Sequence, residues 1–262
     1  MKRFSIKNKN ILIFGGSGQI GQNVIDYFLD LDANVINLDI SDIRKKKIIS
    51  KKNYLFYKIN LIKKQNIDTI FNNHLNKVRI DCLINLFHFK GNPRGLEPKN
   101  SFFESFHKYD YEDWADTINI NLNSLFLICQ KTLNKMMRQK KGNIINVSST
   151  YGIVSPNKNI YGKSGINNPI GYSTTKGAII NFTKYIATHY SDYNIRANVI
   201  SPGGVKNSMQ SKEFVKNYNK NTPLQRLAEP WEYNEAFLFL ASDASSYMTG
   251  ANLIVDGGWT AW

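Results

Sequence analysis

Residues 10–21, NILIFGGSGQIG, constrain the fold of this chain more than any other stretch. A short apolar run ends in a turn holding Gly15, Gly16, Gly18 and Gly21, and apolar positions at Ile25, Phe28 and Leu29 then continue at helical spacing. A strand that turns tightly into a helix points the helix's unpaired N–H groups, and the positive end of its dipole, at the turn. Glycines there let backbone approach a phosphate closely. Gly15, Ser17, Gly18, Gln19, Ile20 and Gly21 are therefore candidates for holding the pyrophosphate of a dinucleotide. Glycine also serves ordinary turns, so the reading depends on the rest of the chain.

Six more apolar runs read as strands: 35–38, 54–59, 81–86, 142–147, 195–200 and 252–255. Helical patterns separate many of them, at 67–75, 111–136 and 172–189, with a last long helix expected from Glu229-Pro230. Such alternation predicts an α/β chain with a parallel sheet. The second strand ends at Asp39, about where a carboxylate would take the adenosine ribose hydroxyls. An acid there repels a 2′-phosphate, and no Arg sits in the glycine turn to attract one, so NAD is expected over NADP. The plainer reading makes Asp39 a turn residue.

The chemistry is expected from residues 143–204. Tyr172 and Lys176 stand four apart at the start of an amphipathic helical pattern, so they share a face. An ammonium beside a phenol favours phenolate and makes the ring an acid/base near neutral pH. Upstream, the strand GNIINV ends in Ser148-Ser149; downstream, NVIS runs into Pro202-Gly203-Gly204-Val205. With the glycine turn, this arrangement resembles the single-domain short-chain dehydrogenase/reductase family over nearly the whole chain.

The resemblance implies a doubly wound, Rossmann-type parallel sheet of about seven strands with helices on both faces. It implies an NAD-dependent oxidoreductase transferring a hydride to or from a carbinol or carbonyl carbon. Tyr172 would exchange the hydroxyl proton, and Lys176 would lower its pKa and hold the nicotinamide ribose. Ser149, rather than Ser148, would bind the substrate oxygen. Asn121 would kink the helix that carries it and support a water relay to Lys176. Asn60 and Leu61 would stand beside the adenine, Asn85 would join the cofactor-binding set, and Pro202, Gly203 and Val205 would clamp the nicotinamide amide. Two positions depart from the family pattern: Asn60 replaces the usual acid, and Asn85-Leu86-Phe87-His88 replaces Asn-Asn-Ala-Gly. His88 is expected in the pocket wall. Helix packing of the family type implies a homodimer or homotetramer.

At 262 residues the chain is expected to form one domain, 1–262, with a substrate-loop insert at about 150–171 and a lid at about 204–222. A further loop over the site is expected at 91–107. Hydrophobic residues at 42% and aromatics at 13% argue against disorder. No apolar run reaches membrane-spanning length and the N-terminus carries no signal-like segment, so a cytoplasmic protein is expected. Cys82 and Cys129 read as core thiols, and the four His show no ligand spacing, so no metal is expected. The formal charge is +14, and nine Lys/Arg fall between Arg44 and Lys64 without an acid among them. Basic charge alone gives only sequence-independent attraction, so these are read as a solvated face, with neither nucleic acid nor membrane as partner.

The runs SSTYGIVSP, GAIINFTKYIAT and SDASSYMTGANLIVDGGW further resemble a family branch in bacterial surface-glycan pathways, including flagellin modification and legionaminic-type sugar synthesis. That resemblance implies a sugar or amino-sugar phosphate as substrate, with Lys158 and Lys163 of the insert as candidates for holding its anionic group. A 3-oxoacyl-type or generic carbonyl reductase would use the same residues with NADPH. A non-catalytic NAD-binding scaffold would bind cofactor without turnover. An extended epimerase or dehydratase would need a further substrate domain.

Overall fold

The computed structural model describes residues 2–42, 51–89, 91, 101–164 and 166–262. Arg44 to Lys47 of the basic run, 92–100 of the loop expected over the site, and Gly165 of the insert lie outside these residues. Seven parallel strands form one sheet: β1 (Asn10–Phe14), β2 (Asn34–Asp39), β3 (Tyr54–Lys58), β4 (Cys82–Asn85), β5 (Gly142–Val147), β6 (Ile195–Pro202) and β7 (Asn252–Val255). Their spatial order is β3-β2-β1-β4-β5-β6-β7. The chain winds outward from β1 in one direction and from β4 in the other, so β1 and β4 flank the reversal point. Phe14 pairs there with both Leu38 and Asn85. Such a reversal leaves a crevice at the carboxyl ends of the strands.

The central strands are buried on both faces because both are covered, as parallel sheets require. On one face Leu12, Phe14, Leu83 and Ile144 pack in a core with α2 (Lys64–Asn73), α4 (Ser124–Gln139) and α5 (Ile170–His189). Their neighbours Ile11, Ile13, Ile84 and Ile145 point the other way, against α1 (Gln19–Asp30) and α7 (Asn234–Ala241). Cys82 and Cys129 are free thiols on opposite faces of the sheet, and burial pushes each up to about 12.

Two elements differ from expectation. The last helix does not run unbroken from Glu229: Pro230–Tyr233 is a 3-10 turn, closed by reciprocal bonds between Glu229 and Glu232, and the α-helix begins at Asn234. The stretch 150–171 is not a solvent loop throughout. Ile160 is buried with Tyr218, Leu227 and Trp259 in a third core, joined by Tyr151, Val154, Tyr161 and Phe214. This core packs the insert against α6 (Lys212–Lys220), the helix of the expected lid.

Candidate active site

The crevice is a cavity of about 670 Å³. Gly15, Ser17, Gly18, Gln19, Ile20 and Gly21 form one wall, Asp39 and Asn60-Leu61 the far end, and Ser149, Tyr172 and Lys176 the near end, with Pro202, Gly203 and Val205 beside them. At Gly15, φ is +81° and an added Cβ would strike the Phe87 backbone, so only glycine lets the turn pass there. At Gly18 an added Cβ would meet nothing closer than 3.6 Å, which leaves the helix N-terminus open to a ligand. Asp39 accepts hydrogen bonds from the Ser17 N–H (2.9 Å) and the Ile40 N–H (2.7 Å), which fixes its carboxylate between the glycine turn and the far end. Backbone donors at a helix N-terminus beside one carboxylate, in a long crevice, suit a dinucleotide: phosphates at the turn and ribose hydroxyls at Asp39.

Tyr172 and Lys176 share a face of α5, as their spacing requires, with Nζ 5.6 Å from the centre of the Tyr172 ring. The lysine is buried and its Nζ donates to the Val147 carbonyl at 2.8 Å. Burial lowers it to about 7. The Tyr172 phenol stands above its ordinary value, where the expected influence of Lys176 alone would place it below. Burial raises the phenol, a hydrogen bond with Ser149 works against that rise, and Tyr161 adds to it.

Ser149 and Ser148 separate cleanly. Ser148 is buried and donates to the Lys176 carbonyl at 2.7 Å, which ties β5 to α5. Ser149 faces Tyr172, and its hydroxyl also accepts from the Tyr151 N–H at 3.2 Å. Asn121 lies in a π turn, Asn119–Asn123, that interrupts the helix between α3 (Tyr111–Ile118) and α4. Its side chain accepts from the Phe89 N–H (2.7 Å) and donates to the Thr175 hydroxyl (3.1 Å), so it holds the cavity-wall segment after β4 and the residue before Lys176 rather than Lys176 itself.

Asn85 does not line the cavity. Its amide donates to Asn146 Oδ1 at 2.8 Å and meets the Cys129 sulfur at 3.5 Å inside the sheet. Its position on β4, with Asn146 opposite on β5, turns it into the layer between strands. Lys158 and Lys163 are exposed and lie off the cavity wall. Asn60 does line the cavity, but its Oδ1 also caps the following turn through the Ile62 N–H. His88 stands in the wall as expected, edge-on to Tyr172 at 5.6 Å between ring centres. Sequence reasoning missed Tyr151 and Tyr161, which lie close enough to Tyr172 for their charges to interact. It also missed Tyr218, whose hydroxyl accepts the Gly204 N–H at 2.5 Å and so ties the lid helix to the turn after β6.

The sequence profile of a family described as enoyl-(acyl carrier protein) reductase matches residues 17–260. The chain belongs to the short-chain dehydrogenase/reductase family. A solved short-chain dehydrogenase from Leptospira borgpetersenii serovar Hardjo-bovis, with bound NAD+, is 35% identical over 99% of this chain and 96% of that one, with a TM-score of 0.87. A 3-oxoacyl-[acyl-carrier-protein] reductase of Chlamydia trachomatis is 30% identical over 98% of this chain and 90% of its own length. An acetoacetyl-CoA reductase of an Acinetobacter species is 37% identical over 157 residues, 59% of either chain. As a short-chain dehydrogenase/reductase, the chain is an oxidoreductase of hydroxyl and carbonyl groups. Among its described residues no helix is long and apolar enough to cross a membrane.

Proposed function

We propose that this chain is an NAD-dependent dehydrogenase or reductase acting on a carbinol or carbonyl carbon of a sugar or amino-sugar phosphate. The observation that carries the first half is the convergence of Ser149, Tyr172 and Lys176 at one end of the glycine-turn cavity. When bound, the nicotinamide dinucleotide supplies or accepts the hydride. Ser149 and Tyr172 hold the substrate oxygen from two sides. Burial keeps Tyr172 protonated, which suits donation to an alkoxide in the reducing direction. Lys176, 5.6 Å from the centre of the Tyr172 ring, supplies positive charge beside the phenol when the proton leaves. Asn121 keeps the start of α5 in register through Thr175.

Asp39 supports NAD over NADP, because a 2′-phosphate would be set against a fixed carboxylate. For the substrate, the support is the sequence runs that resemble the glycan branch. Lys158 and Lys163 do not hold its phosphate in this arrangement. A second reading, reduction of 3-oxoacyl thioesters, is favoured by the Chlamydia and Acinetobacter relatives. We place the reaction in the cytoplasm and assign a homodimer or homotetramer, supported by exposed Phe126 on α4 and Tyr185 on α5.

A panel of sugars, sugar phosphates and 3-oxoacyl thioesters, each assayed with NADH and NADPH (and with NAD and NADP for the reverse direction), separates the readings. Turnover of a sugar compound with the NAD pair, lost in Tyr172→Phe, is the expected result. Turnover of thioesters alone, with NADPH, assigns the second reading. Tight NADH binding with no turnover across the panel, and no difference in Tyr172→Phe, returns the chain to a cofactor-binding scaffold.

A further inference from the structure

Asn37, like Asn85 and Asn146, is an amide buried in the sheet. It lies on β2, two residues before Asp39, with no solvent exposure, between the buried Ile36 and Leu38. A buried amide destabilises a fold unless its groups are hydrogen-bonded. Both of its N–H hydrogens are used: Nδ2 donates to Ser17 Oγ at 3.2 Å and to the Tyr54 hydroxyl at 3.1 Å. Tyr54 passes its own hydrogen to Asp42 Oδ2 at 3.1 Å. Asn37 Oδ1 accepts no hydrogen bond among the described residues and instead packs on Gly16, where any Cβ would collide with it. The second glycine of the turn is thus accounted for by Asn37 rather than by a ligand.

The direction of these bonds has a consequence at Ser17. A hydroxyl that accepts from Asn37 on its inner side must send its own hydrogen elsewhere. Ser17 lines the cavity within the glycine turn, against the N-terminus of α1. We propose that Asn37 is a positioning residue for the phosphates of the dinucleotide: it commits the Ser17 O–H to donate into the cavity. The inference rests on the proposed function, in which the cavity holds a dinucleotide. Asn37 reaches no ligand itself and acts through Ser17, so its effect belongs to ligands that carry phosphate and to no others.

The test uses full-length wild type, Ser17→Ala, Asn37→Val and the double variant, titrated with ADP and with adenosine. Asn37→Val is expected to weaken ADP about tenfold, as loss of one oriented bond to a charged group would. Ser17→Ala weakens ADP similarly, and the double variant is no weaker than Ser17→Ala alone, because the two substitutions remove one interaction. Adenosine affinity stays within about twofold throughout. If Asn37→Val does not fold, Asn37→Ala carries the same expectations. Unchanged ADP affinity in a folded Asn37 variant, multiplying effects in the double variant, or equal weakening of adenosine overturns the proposal alone. Wild type that binds neither ADP nor NADH overturns it together with the function it rests on.

Discussion

Replacing Lys176 by Met should make the protein more stable and abolish its turnover. The lysine is buried at 2% exposure and sits at about 7 instead of its ordinary 10.5, with desolvation as the cause. The unfolded chain therefore binds more protons than the folded one between pH 7 and pH 10.5, and stability rises with pH across that window. Integrating that difference gives a cost to the folded state of about 4 kcal/mol at pH 7, shrinking to about 2 kcal/mol at pH 9. Methionine removes the cost and forfeits the bond to the Val147 carbonyl, about 1 kcal/mol. The net expectation is a variant more stable by about 3 kcal/mol at pH 7 and by about 1 kcal/mol at pH 9. Urea denaturation of both proteins, free of dinucleotide and at equal protein concentration, measures it at each pH. A variant less stable than wild type at pH 7, or an advantage that does not shrink by pH 9, refutes the idea that burial costs this lysine its charge.

Four further substitutions rest on single observations. Ser149→Ala should lower kcat/KM about a hundredfold with little change in stability, while Ser148→Ala should cost about 1 kcal/mol of stability by losing its bond to the Lys176 carbonyl. Kinetics and denaturation on the two variants distinguish the roles, and the reverse pattern would exchange them. Asp39→Ser should lower the preference for NAD over NADP at least tenfold in kcat/KM, since it removes the carboxylate that faces a 2′-phosphate; an unchanged ratio would make Asp39 a turn residue. Gly162→Ala should lower Tm by a few degrees, because φ there is +57° and the added Cβ meets the Glu213 carboxylate. If the insert and lid were not packed together, that substitution would cost no more than its backbone strain.

The strand that enters GGSGQIG, the pairing of Tyr172 with Lys176 and the position of Asp39 were legible because each depends on local geometry: a tight turn, one helical period, one strand length. What was not legible depends on partners far apart in sequence. Asn85 matches the first Asn of the family's Asn-Asn-Ala-Gly, which implies a cofactor residue, yet its neighbour Asn146 on β5, 61 residues on, claims its amide. Lys158 and Lys163 read as anion-binding because paired cations can hold a phosphate, but Ile160 and Tyr161 between them anchor that loop on Phe214, Tyr218 and Trp259 and leave the lysines exposed. The spacing of Phe214, Val215 and Tyr218 held that signal, since an otherwise polar lid has an apolar edge. The Tyr172 pKa failed for an energetic reason: a one-turn spacing fixes the direction of Lys176 but says nothing of how much water either group loses.

The proposed chemistry stands or falls with the Tyr172 hydroxyl as the group that moves the proton accompanying hydride transfer. The turnover rate of Tyr172→Phe against wild type meets this head-on, on whichever substrate of the panel wild type uses, with NADH affinity determined on the same samples. The expected result is a loss of about a thousandfold or more in kcat with NADH affinity within about twofold, as when a general acid is removed and its ring kept. A phenylalanine variant that turns over at the wild-type rate would contradict it.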